Sequence, residues 1–210
     1  MLLRTSSGAA QPGFLNGRGV WHKNGGMALS KRRRAPAPLD EQKLGELALR
    51  YVGRFATTRA KLSSYLRRKV RERGWDGARP PDVEAAAERL AALGYVDDAG
   101  YALAKSRALS GRGYGKRRLG AALRAAGIGE ADGAAALELA DADAVAAALR
   151  FAERRRLGPF AARTIDDPAE RQKALAAMVR AGHDVALARA IVRMAAGAEV
   201  DREELRLVLQ

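Results

Sequence analysis

The stretch Lys61-Leu62-Ser63-Ser64-Tyr65-Leu66-Arg67 returns later in the chain as Arg118-Leu119-Gly120-Ala121-Ala122-Leu123-Arg124: a base, two leucines four apart, then a second base. A looser third copy is Lys173-Ala174 with Met178 four residues on, closed by Gly182 as the second copy is closed by Gly127. Apolar residues four apart, in segments with no sustained apolar/polar alternation, lie on one face of a helix. A helical unit recurring at a period of about 55 residues predicts a tandem-repeat protein whose modules cover one another's open flanks.

The flanks of the first copy supply the rest of its module. Asp40 is a candidate cap for a helix carrying Leu44, Leu47, Ala48, Tyr51, Val52 and Phe55 along one stripe. A second helix begins at Thr57 or Thr58, buries Leu62, Tyr65, Leu66 and Val70, and ends at Gly74. Pro80-Pro81-Asp82 opens a third, with Val83, Ala86, Ala87, Leu90 and Leu93 inward and a stop at Gly94. Asp97 or Asp98 then caps a helix bearing Tyr101, Ala104 and Ala108, and the turn Gly111-Arg112-Gly113-Tyr114-Gly115 leads into the second copy.

The expected fold is therefore all-α: three tandem three-helix repeats, helix-turn-helix-like, forming an elongated curved rod. They are wingless, because only Tyr95 and Val96 separate Gly94 from Asp97. The expected boundaries are a disordered basic arm at 1–38, repeats at 39–96, 97–140 and 141–198, and a C-terminal tail at 199–210 with a short extended piece from Leu205 to Leu209. The arm reading rests on its Gly, Ser, Pro and basic content, which ends in Lys31-Arg32-Arg33-Arg34-Ala35-Pro36-Ala37-Pro38.

Composition supports small helical modules over a thick globular core. Of the 210 residues, 48% are apolar but only 5% are aromatic, and 30% are charged. The net charge of +14 is uneven. Residues 1–38 hold 7 bases and no acid, 39–95 hold 12 bases against 8 acids, 96–130 hold 7 against 3, and 131–210 hold 12 against 13. A surface of this sign, concentrated in the first two-thirds of the chain, favours a polyanion: nucleic acid or an acidic protein.

Several chemistries find no support. The chain has no Cys, which excludes disulfides, thiolate zinc sites and a Cys nucleophile and is consistent with a cytoplasmic location. No apolar run suggests a signal peptide, a membrane anchor or a membrane role. The glycine-rich turn before Lys116 lacks the Ser/Thr of a phosphate-binding loop and follows a helix where such a loop follows a strand. Asp97-Asp98 and Asp166-Asp167 each precede a helix, where capping is their ordinary task, and His22 and His183 have no adjacent catalytic partner. No catalytic residue, metal ligand or cofactor is expected.

The repeated second helices carry the strongest candidate surface. Lys61, Arg67, Arg68 and Arg71 in the first module, and Arg112, Lys116, Arg117, Arg118 and Arg124 in the second, form clusters in which Glu72 is the sole acid. Clusters of this kind neutralise phosphates or meet an acidic protein groove. A helix-turn-helix transcriptional regulator is the alternative reading; it would bind duplex DNA tightly, usually as a dimer with spaced half-sites.

Gly94-Tyr95-Val96-Asp97-Asp98-Ala99-Gly100-Tyr101-Ala102, followed by Gly113-Tyr114-Gly115 and by Leu119, Leu123 and Gly127-Ile128, resembles the RecX family of RecA regulators. The likeness spans about 40–197 and takes in Thr57-Thr58-Arg59-Ala60-Lys61-Leu62 and Tyr65-Leu66. It departs at Val96, where the family often has Leu, at Gly100, where a base is frequent, and at Lys116, where Pro is common. A monomer is expected, and the resemblance implies that its curved rod lodges in the groove of a RecA–single-stranded-DNA filament. There it would restrain RecA's ATP hydrolysis, strand exchange and coprotease activity, and so act in the SOS response and recombinational repair. Gly94, Tyr95, Asp97, Asp98 and Tyr101 would then form the joint between the first two repeats, by capping and packing.

Overall fold

Short polar side chains start the helices. Asp40 Oδ1 accepts from the Lys43 amide at 2.8 Å, Asp82 from Ala85 at 2.8 Å and Asp97 from Gly100 at 2.8 Å. Each holds one of the amides that a helix N-terminus leaves without an internal partner. Thr58 does the same for Lys61, which settles the choice between the two threonines, and Asp97 rather than Asp98 is the cap of its helix.

The computed structural model describes residues 37–209, and the expected basic arm, with His22, falls outside those residues except at its end. Helices α1 (Glu41–Val52), α2 (Arg59–Arg73) and α3 (Val83–Ala92) enclose a first core of Leu44, Ala48, Leu62, Leu66, Val83, Ala87 and Leu90. Leu39, fully buried, joins that core and exchanges backbone hydrogen bonds with Gly74 and Asp76 in an isolated bridge to Trp75. Helices α4 (Asp98–Gly111), α5 (Lys116–Ala125) and α6 (Glu130–Ala142) surround a second core of Ala102, Leu119, Leu123, Ala126, Ile128, Ala136 and Ala140. A third gathers α7 (Ala144–Arg155), a 3-10 turn (Gly158–Phe160), α8 (Pro168–Arg180), α9 (Val185–Arg193) and α10 (Arg202–Leu207) around Ala148, Phe151, Met178, Leu187, Ile191 and Leu205. The described residues are all-α, as expected.

Three details differ from expectation, each for a packing reason. The inward face of α4 is Ala102, Ser106 and Ser110, with Tyr101 half-buried at its edge and Ala104 and Ala108 exposed. Its small side chains bring α4 against α6 at Ala136 and Ala140, and the buried Ser106 hydroxyl is satisfied by donating to the Ala136 carbonyl at 2.9 Å. Phe55 and Leu93 lie past the ends of α1 and α3 and are largely exposed. The C-terminal stretch expected to be extended is helical: Asp201 accepts from the Glu203 and Glu204 amides, and only Leu205 turns into the third core while Leu207, Val208 and Leu209 stay outside.

Among the described residues no helix is long and apolar enough to cross a membrane.

Candidate functional site

Two joints set the second helices end to end. At the first, Thr58 Oγ1 not only caps α2 but donates to the carbonyl of Ala126, the C-cap residue of α5, at 2.6 Å. Gly127 lies so close that a Cβ there would fall 2.2 Å from that of Ala60. At the second, the Gly115 amide donates to Ala181 at 3.0 Å and the Arg117 amide to Gly182 at 3.2 Å, so the start of α5 receives the end of α8. The C-terminus of each helix thus faces the N-terminus of the preceding repeat's helix. Carbonyls and amides that would otherwise be orphaned satisfy one another, and the partial charges of the helix ends are of opposite sign.

Charge reinforces the first joint. Asp98, its side chain only 5% exposed, accepts from both the backbone amide and Nε of Arg59 at 3.0 Å. Arg59 also reaches Asp132 on α6 at 2.6 Å and Glu88 on α3 at 3.4 Å, so one guanidinium binds α2, α3, α4 and α6 together. The Asp98 carboxylate, by hydrogen bonding and proximity, raises the Arg59 pKa above its ordinary value, so the guanidinium stays charged at any working pH. Of the expected joint residues, Asp97 caps α4, Asp98 anchors Arg59, and Tyr101 receives Lys61 Nζ at its hydroxyl at 2.6 Å. Gly94 turns the chain after α3, and Tyr95 stands 56% exposed beside a cleft that Tyr101 also lines.

The expected basic residues divide three ways. Lys61 is half-buried, its ammonium 4.5 Å above the Tyr101 ring, and is committed to the joint. Arg67, Arg68 and Lys116 are exposed but ion-paired with Glu84, Glu72 and Asp141; two of these acids come from the neighbouring helices α3 and α6, which a survey of the basic helices alone does not reach. Arg71, Arg112, Arg117, Arg118 and Arg124 are exposed and form no ion pair among the described residues. Arg117 and Arg124 stand seven apart on one face of α5, and Arg118 stacks 4.5 Å above Tyr114.

The second joint also holds a residue that sequence reasoning set aside. His183 is 2% exposed, with Nε2 3.1 Å from the Gly113 carbonyl and its ring 5.5 Å from that of Phe151. Burial lowers its pKa below the ordinary 6.5, against the opposing pull of the Gly113 carbonyl. A pKa lower in the folded than in the unfolded chain means that the unfolded chain takes up protons first as pH falls. The contribution of His183 to stability is therefore whole above about pH 6.5 and declines as pH drops through the folded value. Urea denaturation at pH 7.5 and 5.5 is expected to show a loss on acidification that the His183→Asn variant lacks; equal losses in both would remove the histidine as the cause.

The chain is 30% identical over 180 residues to the regulatory protein RecX of Myxococcus xanthus (strain DK1622), a match covering 80% of this chain and 95% of that relative. Two solved structures share the fold. The crystal structure of RecX from Lactobacillus salivarius superposes with a TM-score of 0.53 at 18% identity, over 79% of this chain and 96% of that one. A crystal structure of a regulatory protein RecX gives a TM-score of 0.53 at 21% identity, over 72% and 70%. No protein-family model matches the chain. Fold and relatives together define the class: an all-helical regulatory protein. Within that class, the chain belongs to the RecX family.

Proposed function

We propose that this protein binds the RecA–single-stranded-DNA filament and restrains it, lowering RecA's ATP hydrolysis, strand exchange and coprotease activity. The observation that carries the reading is the end-to-end arrangement of α2 and α5, which holds Arg71, Arg117, Arg118 and Arg124 on consecutive, mutually braced helices without acidic partners among the described residues. A rigid basic series suits a repeating partner, because fixed spacing lets several contacts form without an ordering cost at each one. Arg67, Arg68, Arg112 and Lys116 flank the same helices and complete the proposed face, and Lys61 acts through the joint. The repeats at 39–96, 97–140 and 141–198 act as one monomeric body in the cytoplasm, touching DNA directly or through RecA. No catalytic group or cofactor takes part.

The test adds the full chain at sub-stoichiometric ratios to the cognate RecA on excess single-stranded DNA and follows ATP hydrolysis. Suppression is expected. The triple variant Arg71→Glu, Arg117→Glu, Arg124→Glu should need on the order of tenfold more protein for the same suppression, with helicity unchanged. Undiminished suppression by that variant would move the contact face elsewhere. No suppression by the wild type, with tight binding to RecA-free duplex, would favour a DNA-reading regulator.

A further inference from the structure

Residues 131–210 hold nearly as many bases as acids, yet the charge is not evenly spread. A groove of about 470 Å³ between α8 and α9 is lined by Arg171 and Gln172 from one helix and Arg189 and Arg193 from the other, over a floor that includes Leu175 and Val192. No carboxylate lines it. Arg189 and Arg193 are exposed, four apart on α9, and enter no ion pair among the described residues. Arg171 is half-buried; one terminal nitrogen donates to the Asp166 carbonyl at 2.6 Å, while its Nε is the one buried side-chain polar atom among the described residues with no hydrogen-bond partner.

Three arginines that line one groove without a carboxylate among them give it a positive field. An anion in the groove offsets that field. Guanidinium forks match the oxygens of a phosphoryl group in paired, charge-assisted hydrogen bonds, and the amide of Gln172 supplies a further donor. The apolar floor suits an organic group attached to the phosphate rather than a bare ion.

We propose that the α8–α9 groove binds a phosphoryl group, held by Arg171, Arg189 and Arg193, and carried by a nucleotide or by a nucleic-acid strand. The site lies apart from the α2–α5 face and stands or falls independently of filament regulation.

The test follows the Nε–Hε resonance of Arg171 by ¹⁵N NMR in the full chain, assigned by its loss in Arg171→Gln. Inorganic pyrophosphate is titrated first, against sodium chloride at matched ionic strength, and then a single-stranded oligodeoxythymidylate. Pyrophosphate should shift the resonance saturably while chloride does not, and the exposed double variant Arg189→Gln, Arg193→Gln should weaken that response about tenfold or more without changing helicity. An oligonucleotide that moves the same resonance and displaces pyrophosphate identifies a strand phosphate as the source; a response to pyrophosphate alone identifies a small phosphate ligand. A resonance unmoved by either probe, or a response as strong in the double variant, overturns the proposal.

Discussion

Replacing Asp98 with alanine is expected to lower the stability of the chain by about 2–3 kcal/mol, far more than an ordinary helix N1 substitution costs. The carboxylate is nearly shut off from water and takes two hydrogen bonds from Arg59, one from its backbone amide and one from Nε. Removing it leaves the first amide of α2 without an acceptor and strips Arg59 of its best-buried partner. Breaking a fully buried ion pair costs about 3–5 kcal/mol. The lower figure applies because the Arg59 side chain is 37% exposed and keeps Asp132 and Glu88, so solvent and the remaining acids absorb part of the loss. Asp98→Asn, which keeps the shape and one acceptor oxygen, should fall between. Urea denaturation followed by circular dichroism measures both, and a loss below about 0.5 kcal/mol in the alanine variant would mean that the four-helix ion network does not hold the first two repeats together.

The same network marks how far the sequence can be read. Helix starts were legible because capping is a local rule: Asp40, Thr58, Asp82, Asp97 and Asp167 each accept an amide hydrogen bond within three residues. The period was legible because Leu62, Leu66, Leu119 and Leu123 are leucines at positions that must be buried in each module. What failed depends on distance along the chain or on small side chains. Lys61 meets Tyr101 forty residues later and Arg67 meets Glu84 from the next helix, so neither cation can be assigned from its own helix. The buried face of α4 consists of alanine and serine, which carry no hydrophobic signal, whereas the larger Tyr101 on an adjacent face does. Counting charges over residues 131–210 gave near balance and so concealed the arginines that line the groove between α8 and α9.

Gly115→Ala should prove about as costly as losing Asp98, and for a purely geometric reason. The Gly115 backbone is in an extended conformation that any residue adopts, so a methyl group brings no local strain there. It does meet the opposite strand of the joint: a Cβ would lie 2.2 Å from the Gly182 carbonyl oxygen and 2.6 Å from the His183 nitrogen, both backbone atoms. Neither can rotate away. Gly182 is itself held at φ +94°, and a Cβ on it would lie 2.4 Å from the Arg118 nitrogen, so the two glycines are needed together for α8 to end against α5. The alanine must therefore push the joint open, weakening the bonds from Gly115 to Ala181 and from Arg117 to Gly182 and exposing His183, at an expected cost of about 3 kcal/mol. The amide of Arg117 should exchange with solvent faster by a comparable free energy, which ties the loss to this joint and not to general unfolding. Gly111→Ala is the matched control, since a Cβ there meets nothing within 4 Å, and it is expected to leave stability unchanged within about 0.5 kcal/mol. If the two variants melt alike, close backbone approach is not what couples the second and third repeats, and the end-to-end placement of α5 and α8 must rest on side-chain packing, chiefly Tyr114 against the third core.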